Sequence, residues 1–159
     1  MQGDARVIEF LNEQLTAELT AINQYWLHYR MQENWGYTKL AKYTRHESID
    51  EMKHADRLAE RILFLDGLPN FQKLGALRIG ETVKEQFQCD MKIEVEAVER
   101  LRLGIEYMRS VGDVTSANIF EEILADEEHH IDYLETQLGL IESLGEPLYL
   151  QNVTEHPEA

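Results

Sequence analysis

Two groups of acidic and imidazole side chains recur in this chain with identical spacing. In each group a lone glutamate is followed 33 residues later by a Glu-x-x-His motif. The members are Glu18, Glu51 and His54 in the first group and Glu94, Glu127 and His130 in the second. Four carboxylates and two imidazoles are the ligands that a pair of divalent cations requires. Because no thiolate is included, iron or manganese is favoured, and zinc can occupy such a site in vitro.

Charge balance is the reason why these side chains predict a metal site. An ionised carboxylate buried without a partner costs several kcal/mol or becomes protonated. Two divalent cations balance four glutamates and leave two neutral imidazoles to complete the coordination. A single glutamate on an apolar helix face usually reaches solvent, but six polar interruptions at matching heights favour a dinuclear centre.

The elements that position these residues are helices, because apolar residues recur at steps of three and four and no convincing strand alternation is present. Helices are predicted near 5–34, 37–66, 82–111 and 113–144, with a short fifth helix near 145–152. The predicted apolar stripes are Val7, Leu11, Leu15, Ile22, Tyr25, Tyr29, Leu40, Leu58, Ile62, Leu65, Phe87, Met91, Val98, Leu101, Ile105, Met108, Phe120, Leu124, Leu134, Leu138 and Ile141. The glutamates and histidines of the two groups interrupt these stripes.

Tight turns bring each group together. Glu18 and His54 are equidistant from Gly36, and Glu94 and His130 are equidistant from Gly112, so each pair lies level across a helical hairpin. The connection 67–81 can extend to about 50 Å, whereas a helix of about 28 residues is roughly 42 Å long. The prediction is an all-α, single-domain fold over 1–159: a four-helix bundle of two antiparallel hairpins joined by a long crossover, plus a short C-terminal fifth helix.

Composition narrows the function classes. Thirty acidic against fifteen basic residues give a net charge of −15, which disfavours nucleic acid as a partner. The single cysteine, Cys89, excludes an intrachain disulfide and fits a reducing compartment. The first fifteen residues resemble neither a signal peptide nor a membrane span, so a cytoplasmic protein with no membrane association is expected.

Four stretches of the chain resemble bacterioferritins: LTAELTAINQY at 15–25, ESIDEMKHAD at 47–56, RILFLDGLPN at 61–70 and DEEHHIDYLETQL at 126–138. The resemblance covers essentially the whole chain, and all six ligand positions are retained. It implies a ferritin-like bundle in a hollow homo-oligomeric shell of twenty-four subunits. Such a shell is a ferroxidase and iron store that oxidises Fe(II) with dioxygen or peroxide and deposits ferric mineral.

The resemblance also implies roles for single residues. Glu51 and Glu127 would bridge the two irons, Glu18 and Glu94 would be terminal ligands, and His54 and His130 would each bind one iron. Met52 would be the axial ligand of a haem b shared by two subunits, and an iron–sulfur ferredoxin would deliver electrons through the haem. From helix geometry alone, Met52 points about 100° away from the metal-facing stripe, which also fits an ordinary interface methionine.

For several other side chains two interpretations remain open. The haem pocket would be lined by four residues of the first helix, which otherwise make ordinary packing contacts: Leu19, Ile22, Asn23 and Trp26. An inner-surface iron site would be formed by His46 and Asp50, which otherwise are solvated surface residues. Tyr25 supplies an electron or a hydrogen bond to the centre, or is an ordinary buried tyrosine. His28, His129 and His156 lie off the paired pattern and are assigned no role.

Two alternative functions are weighed against iron storage. A rubrerythrin-like peroxidase ordinarily carries a rubredoxin module with Cys-x-x-Cys pairs, which one cysteine excludes. The small DNA-binding ferritins place their ligands across a subunit interface, whereas this chain holds both groups within one bundle. The sequence leaves open the preferred oxidant, the identity of the reductant, a homo- or hetero-polymeric shell, and whether the centre is a stable cofactor or a transit pore for iron.

Overall fold

The computed structural model describes residues 1–155, and these residues form helices without any strand, as predicted. The helices are α1 (Ala5–Trp35), α2 (Thr38–Phe64), α3 (Val83–Ser110), α4 (Val114–Leu144) and α5 (Glu146–Asn152). The predicted bounds differ from these by two residues at most. His156 lies outside the described residues. Within residues 1–155, no helix combines the length and apolar character needed to cross a membrane.

The two predicted turn glycines adopt the left-handed conformation, with φ of 91° at Gly36 and 79° at Gly112. Asp113 caps α4, since its Oδ1 accepts the Ser116 N–H at 3.0 Å. The second helix ends earlier than predicted because Asp66 also has a positive φ of 61°, and the Gly67 N–H bonds back to the carbonyl of Ile62 at 2.9 Å.

The helices pack as two hairpins, α1 along α2 and α3 along α4, with α1 also against α3 and α2 against α4. The larger apolar cluster comprises Val7, Phe10, Leu11, Leu15, Ala55, Leu58, Ile62, Leu65, Leu101, Ile105, Met108, Ala117, Phe120 and Ile123. The predicted α4 stripe omitted Ile123, which is fully buried, whereas the predicted Leu124 is partly buried and packs against this cluster. Ile123 lies three residues after Phe120 and four before Glu127, which places it on the inward face.

Residues 65–82 form the predicted long crossover, and polar side chains of α1 hold it along the bundle. Asn12 and Thr20 accept the backbone N–H groups of Asn70 and Gly75 at 2.9 and 2.8 Å. Further along α1, the Arg78 N–H donates to Gln24 Oε1 at 3.0 Å and the Gly80 N–H donates to His28 Nε2 at 3.0 Å. These acceptors recur at multiples of four residues, so they share one face of α1.

Gly104 marks the closest approach of α3 to the core, and its replacement by alanine is a test of packing. An added Cβ would lie 2.4 Å from Cε2 of Phe120, which is fully buried. Gly104→Ala should lower stability by roughly 1–2 kcal/mol net, because overpacking costs about 1–3 kcal/mol and the better helix propensity of alanine offsets up to about 1. The control is Gly139→Ala in α4, where an added Cβ meets no atom within 4 Å among the described residues. Equal unfolding midpoints for the two variants would contradict this account.

Candidate metal centre

The six side chains predicted as ligands converge in the middle of the bundle. They form two overlapping groups, in each of which one donor atom per residue lies within 4.8 Å of all the others. The groups are Glu18, Glu51, His54 and Glu127, and Glu51, Glu94, Glu127 and His130. Every member is at most 6 % exposed. Two glutamates, Glu51 and Glu127, belong to both groups and therefore lie between two potential cation positions.

The imidazole rings present the same nitrogen to this cluster. Nδ1 of His54 lies 3.2 Å from Glu127 and 3.5 Å from Glu18. Nδ1 of His130 lies 3.3 Å from Glu51 and 3.5 Å from Glu94. The Nε2 atoms face outward, so the geometry selects Nδ1 as the nitrogen that would bind a cation.

Burial and neighbouring charges shift the pKa values of His54 and Glu51 in opposite directions. Burial lowers the pKa of His54, but the carboxylates of Glu127 and Glu51 beside it outweigh burial and raise that pKa to about 10. Burial raises the pKa of Glu51, yet the imidazoles of His130 and His54 beside it dominate and bring it to about 2. For Glu127, burial and the charge of Glu51 raise the pKa. The neighbouring carboxylates therefore favour the charged form of His54, and a cation bound at Nδ1 would displace that proton.

The donor atoms themselves test whether a metal pair fits. Among the described residues, each of the six side chains has one buried atom with no hydrogen-bond partner. These atoms are Glu18 Oε2, Glu51 Oε1, Glu94 Oε2, Glu127 Oε1, His54 Nδ1 and His130 Nδ1. Buried polar atoms are almost always partnered in folded proteins, and four oxygens with two imidazole nitrogens form a set suited to iron or manganese. The residues present therefore fit two divalent cations.

Four further residues fix the ligands from outside. Gln14 donates to Glu18 Oε1 at 2.9 Å, and the Tyr25 hydroxyl donates to Glu94 Oε1 at 2.5 Å. Asp126 Oδ2 lies 2.7 Å from Nε2 of His54, and Glu47 Oε2 lies 2.6 Å from Nε2 of His130. Of these four residues, only Tyr25 was predicted from the sequence to act near the centre. Burial, together with the charge of Asp90, raises the pKa of Tyr25 well above its usual value. A signal existed for Glu47, which lies one turn before Glu51 on the same face.

Two of the cavities formed by residues 1–155 are bordered by several of the predicted ligands. One of about 230 Å³ lies beneath Gly75 and Ala76 of the crossover and is bordered by the four ligand glutamates. A more open one of about 460 Å³ lies where α2 and α4 face solvent and is bordered by His54 and His130. His46 and Asp50 line this second cavity as well, with His46 Nε2 and Asp50 Oδ1 3.6 Å apart, and neither belongs to the metal-ligand groups. His129 also borders it.

Met52 lies on the outer surface of the α1–α2 hairpin, with 41 % of its surface exposed, as its position after Glu51 predicts. The Ser48 hydroxyl donates to the carbonyl of Ile22 at 2.8 Å, which places the neighbouring turns of α1 and α2 side by side. Of the other residues considered for this surface, Leu19 and Ile22 are partly buried and Asn23 and Trp26 are exposed.

His28, assigned no role from the sequence, is fully buried between α1 and the crossover. Its Nδ1 lies 3.0 Å from Oδ1 of Asp90, which also accepts the Gln24 amide at 2.9 Å. Because Nε2 accepts the Gly80 N–H, His28 is the Nδ1–H tautomer in this network. Its role is to anchor the end of the crossover.

Comparison with known proteins places this geometry in a family. The Ferritin-like domain matches residues 8–144. The bacterioferritin of Streptomyces coelicolor is 67 % identical over 158 residues, which cover 99 % of this chain and 95 % of that protein. The chain belongs to the bacterioferritin family. The bacterioferritin of Mycobacterium leprae is 59 % identical over 99 % of both chains.

Solved bacterioferritin structures share the fold. The Mycobacterium tuberculosis protein BfrA superimposes with a TM-score of 0.98 at 57 % identity, covering all of both chains. The Rhodobacter capsulatus bacterioferritin gives a TM-score of 0.97 at 51 % identity, and its structure has a metal-free dinuclear site and haem iron. The ferritin-like four-helix bundle with a short fifth helix and the resemblance to bacterioferritins are therefore confirmed.

Proposed function

We propose that this protein stores iron: it binds Fe(II) at the buried centre, oxidises it to Fe(III) and deposits ferric mineral within a hollow homo-oligomeric shell. One observation carries the proposal. The six predicted ligands converge on one buried space, and each has a buried side-chain atom without a hydrogen-bond partner. In a bacterioferritin-family chain, such a donor set is suited to two ferrous ions as substrate.

The proposed reaction needs two iron ions held side by side. Two Fe(II) ions give one electron each to dioxygen, which takes up two protons and leaves as hydrogen peroxide; with hydrogen peroxide as oxidant, two electrons and two protons give two waters. Glu51 and Glu127 lie between the positions and would bridge the ions. Glu18 with His54 and Glu94 with His130 would complete one position each, which makes the protein a ferroxidase.

Met52 is the proposed axial ligand of haem b, held between two copies of this chain. A two-fold axis would bring the Met52 of each copy to opposite faces of one haem, as an isologous contact requires. The haem would supply a path for electrons from an iron–sulfur ferredoxin to the stored mineral. The exposed position of Met52 on α2, away from the two donor groups, supports this assignment.

Further assignments complete the proposal. The chain would act as one ferritin-like di-iron domain over 1–159, in a cytoplasmic shell of twenty-four subunits assembled from haem-bridged dimers. His46 and Asp50 would bind iron on the inner surface, which their position in the open cavity beside His54 and His130 supports.

Size-exclusion chromatography with full absorption spectra, before and after aerobic loading with Fe(II), tests the shell, the haem and the mineral together. The expected result is one particle of shell size that carries haem absorbance and gains the broad near-ultraviolet absorbance of ferric mineral. A monomeric or dimeric species that precipitates ferric hydroxide in solution would contradict the proposal. A rubrerythrin-like peroxidase would oxidise iron without retaining mineral in the particle.

A further inference from the structure

The two halves of the metal centre have the same ligands but different supports. A shift of 76 residues converts Glu18, Glu51 and His54 into Glu94, Glu127 and His130. By the same shift, Glu47 corresponds to Ile123, and Asp50 corresponds to Asp126. The residues behind the imidazoles are therefore where the internal symmetry of the chain is broken.

Buried groups support the half formed by Glu94 and His130. Glu47 Oε2 lies 2.6 Å from Nε2 of His130, and only 8 % of the Glu47 side chain is exposed. That oxygen accepts no well-aligned hydrogen bond from a described residue, so the contact acts mainly through charge. Little water screens this charge, so its attraction is strong. The Tyr25 hydroxyl, itself buried, fixes Glu94.

Weaker groups support the half formed by Glu18 and His54. Asp126 accepts a hydrogen bond from Nε2 of His54 at 2.7 Å, but 60 % of its side chain is exposed. Exposed charge pairs contribute about 1 kcal/mol or less because water competes for both partners. Glu18 accepts a hydrogen bond from the amide of Gln14 at 2.9 Å, so the difference between the halves lies in the carboxylates behind the imidazoles. This half can reorient its imidazole more easily.

We propose that Glu47 and Asp126 are positioning residues that make the two metal positions unequal, so that the Glu94–His130 position binds a divalent cation more tightly than the Glu18–His54 position. A carboxylate behind a ligating imidazole fixes the ring and raises its basicity, and its loss typically lowers metal affinity about 10–100-fold. The inference rests on the proposed dinuclear centre and adds an order of filling to it.

Zinc titration of the assembled, iron-free protein by calorimetry tests the inference, with ligand-field absorption of Co²⁺ as a second readout. The unsubstituted protein should bind two ions per subunit in two distinguishable steps. Glu47→Gln should weaken binding at the Glu94–His130 position roughly 10–100-fold, so that the two steps draw together or exchange order, and it should change the spectrum of the first Co²⁺ equivalent. Asp126→Asn should weaken only the second step, by at most about fivefold. Glu128→Gln is the matched control, because Glu128 is exposed and pairs with Arg102 rather than with a ligand imidazole.

The outcomes separate the inference from the proposed function. Two equal steps in the unsubstituted protein, or variants that alter both Co²⁺ equivalents alike, would overturn the inference and leave the dinuclear centre intact. Failure of the unsubstituted protein to bind two ions would instead overturn the centre itself. If Glu47→Gln does not fold, the Asp126→Asn variant, whose substitution is at an exposed position, provides the test. The inference requires that only the second Co²⁺ equivalent changes its binding. It is contradicted if the first equivalent changes, if both change or if neither changes.

Discussion

Replacing Glu127 with alanine is expected to abolish rapid oxidation of Fe(II) while the helical fold is retained. Glu127 belongs to both donor groups, so its loss removes an oxygen from each metal position. Loss of a residue behind a ligand already costs about 10–100-fold in metal affinity or activity, so the initial oxidation rate should fall at least about 100-fold. The fold should persist, because removing one of four clustered carboxylates also removes charge repulsion.

Stopped-flow absorbance after mixing with Fe(II) in air measures this rate, and circular dichroism measures helix content. Glu128→Ala is the matched control: it lies next to Glu127 on α4 but is exposed and should oxidise iron at the unsubstituted rate. A folded Glu127→Ala shell with unchanged initial kinetics would show that the centre is not the site of oxidation.

Replacing Met52 with leucine is expected to remove the haem spectrum without stopping iron uptake. Leucine keeps the apolar volume but has no thioether, so an axial ligand would be lost from both faces of a haem shared by two copies. The centre should still oxidise Fe(II), because Met52 belongs to neither donor group. Reductive release of stored iron should slow if electrons pass through the haem.

Visible absorption spectra of the purified shell, scaled to protein concentration, test this prediction. Met91→Leu on α3 is the control, since Met91 packs against the apolar cluster around Phe87 and should leave the haem bands unaltered. An unchanged haem spectrum in Met52→Leu would rule out this methionine as the axial ligand.

The repeated spacing predicted the centre well because it encodes geometry directly. Residues equidistant from a tight turn must lie level on antiparallel helices, and Gly36 and Gly112 do form the turns with positive φ. The crossover was predicted separately, because the extended length of residues 67–81 is sufficient to span a helix of the bundle. The spacing could not predict how the crossover contacts α1, because these contacts depend on isolated polar side chains such as Thr20 and Gln24.

The residues that contact the ligands or the crossover from outside the repeated pattern were harder to predict from the sequence. Asp126 is one of several acidic residues in a row on α4, and only its distance to His54 distinguishes it from its neighbours. His28 lies off the repeated pattern and was assigned no role, yet it is fully buried and accepts the Gly80 N–H of the crossover. In both cases the deciding contact joins distant parts of the chain, and such contacts leave no local pattern.

The most direct test of the account is anomalous diffraction from crystals soaked anaerobically in Fe(II), recorded on both sides of the iron absorption edge. The account predicts two iron peaks per subunit, one among Glu18, His54 and the shared glutamates and one among Glu94, His130 and the same two glutamates. Nδ1 of each histidine should point to its iron. Crystals that show no iron at these positions, with the six side chains turned towards solvent, would contradict the claim that a metal pair explains the buried carboxylates.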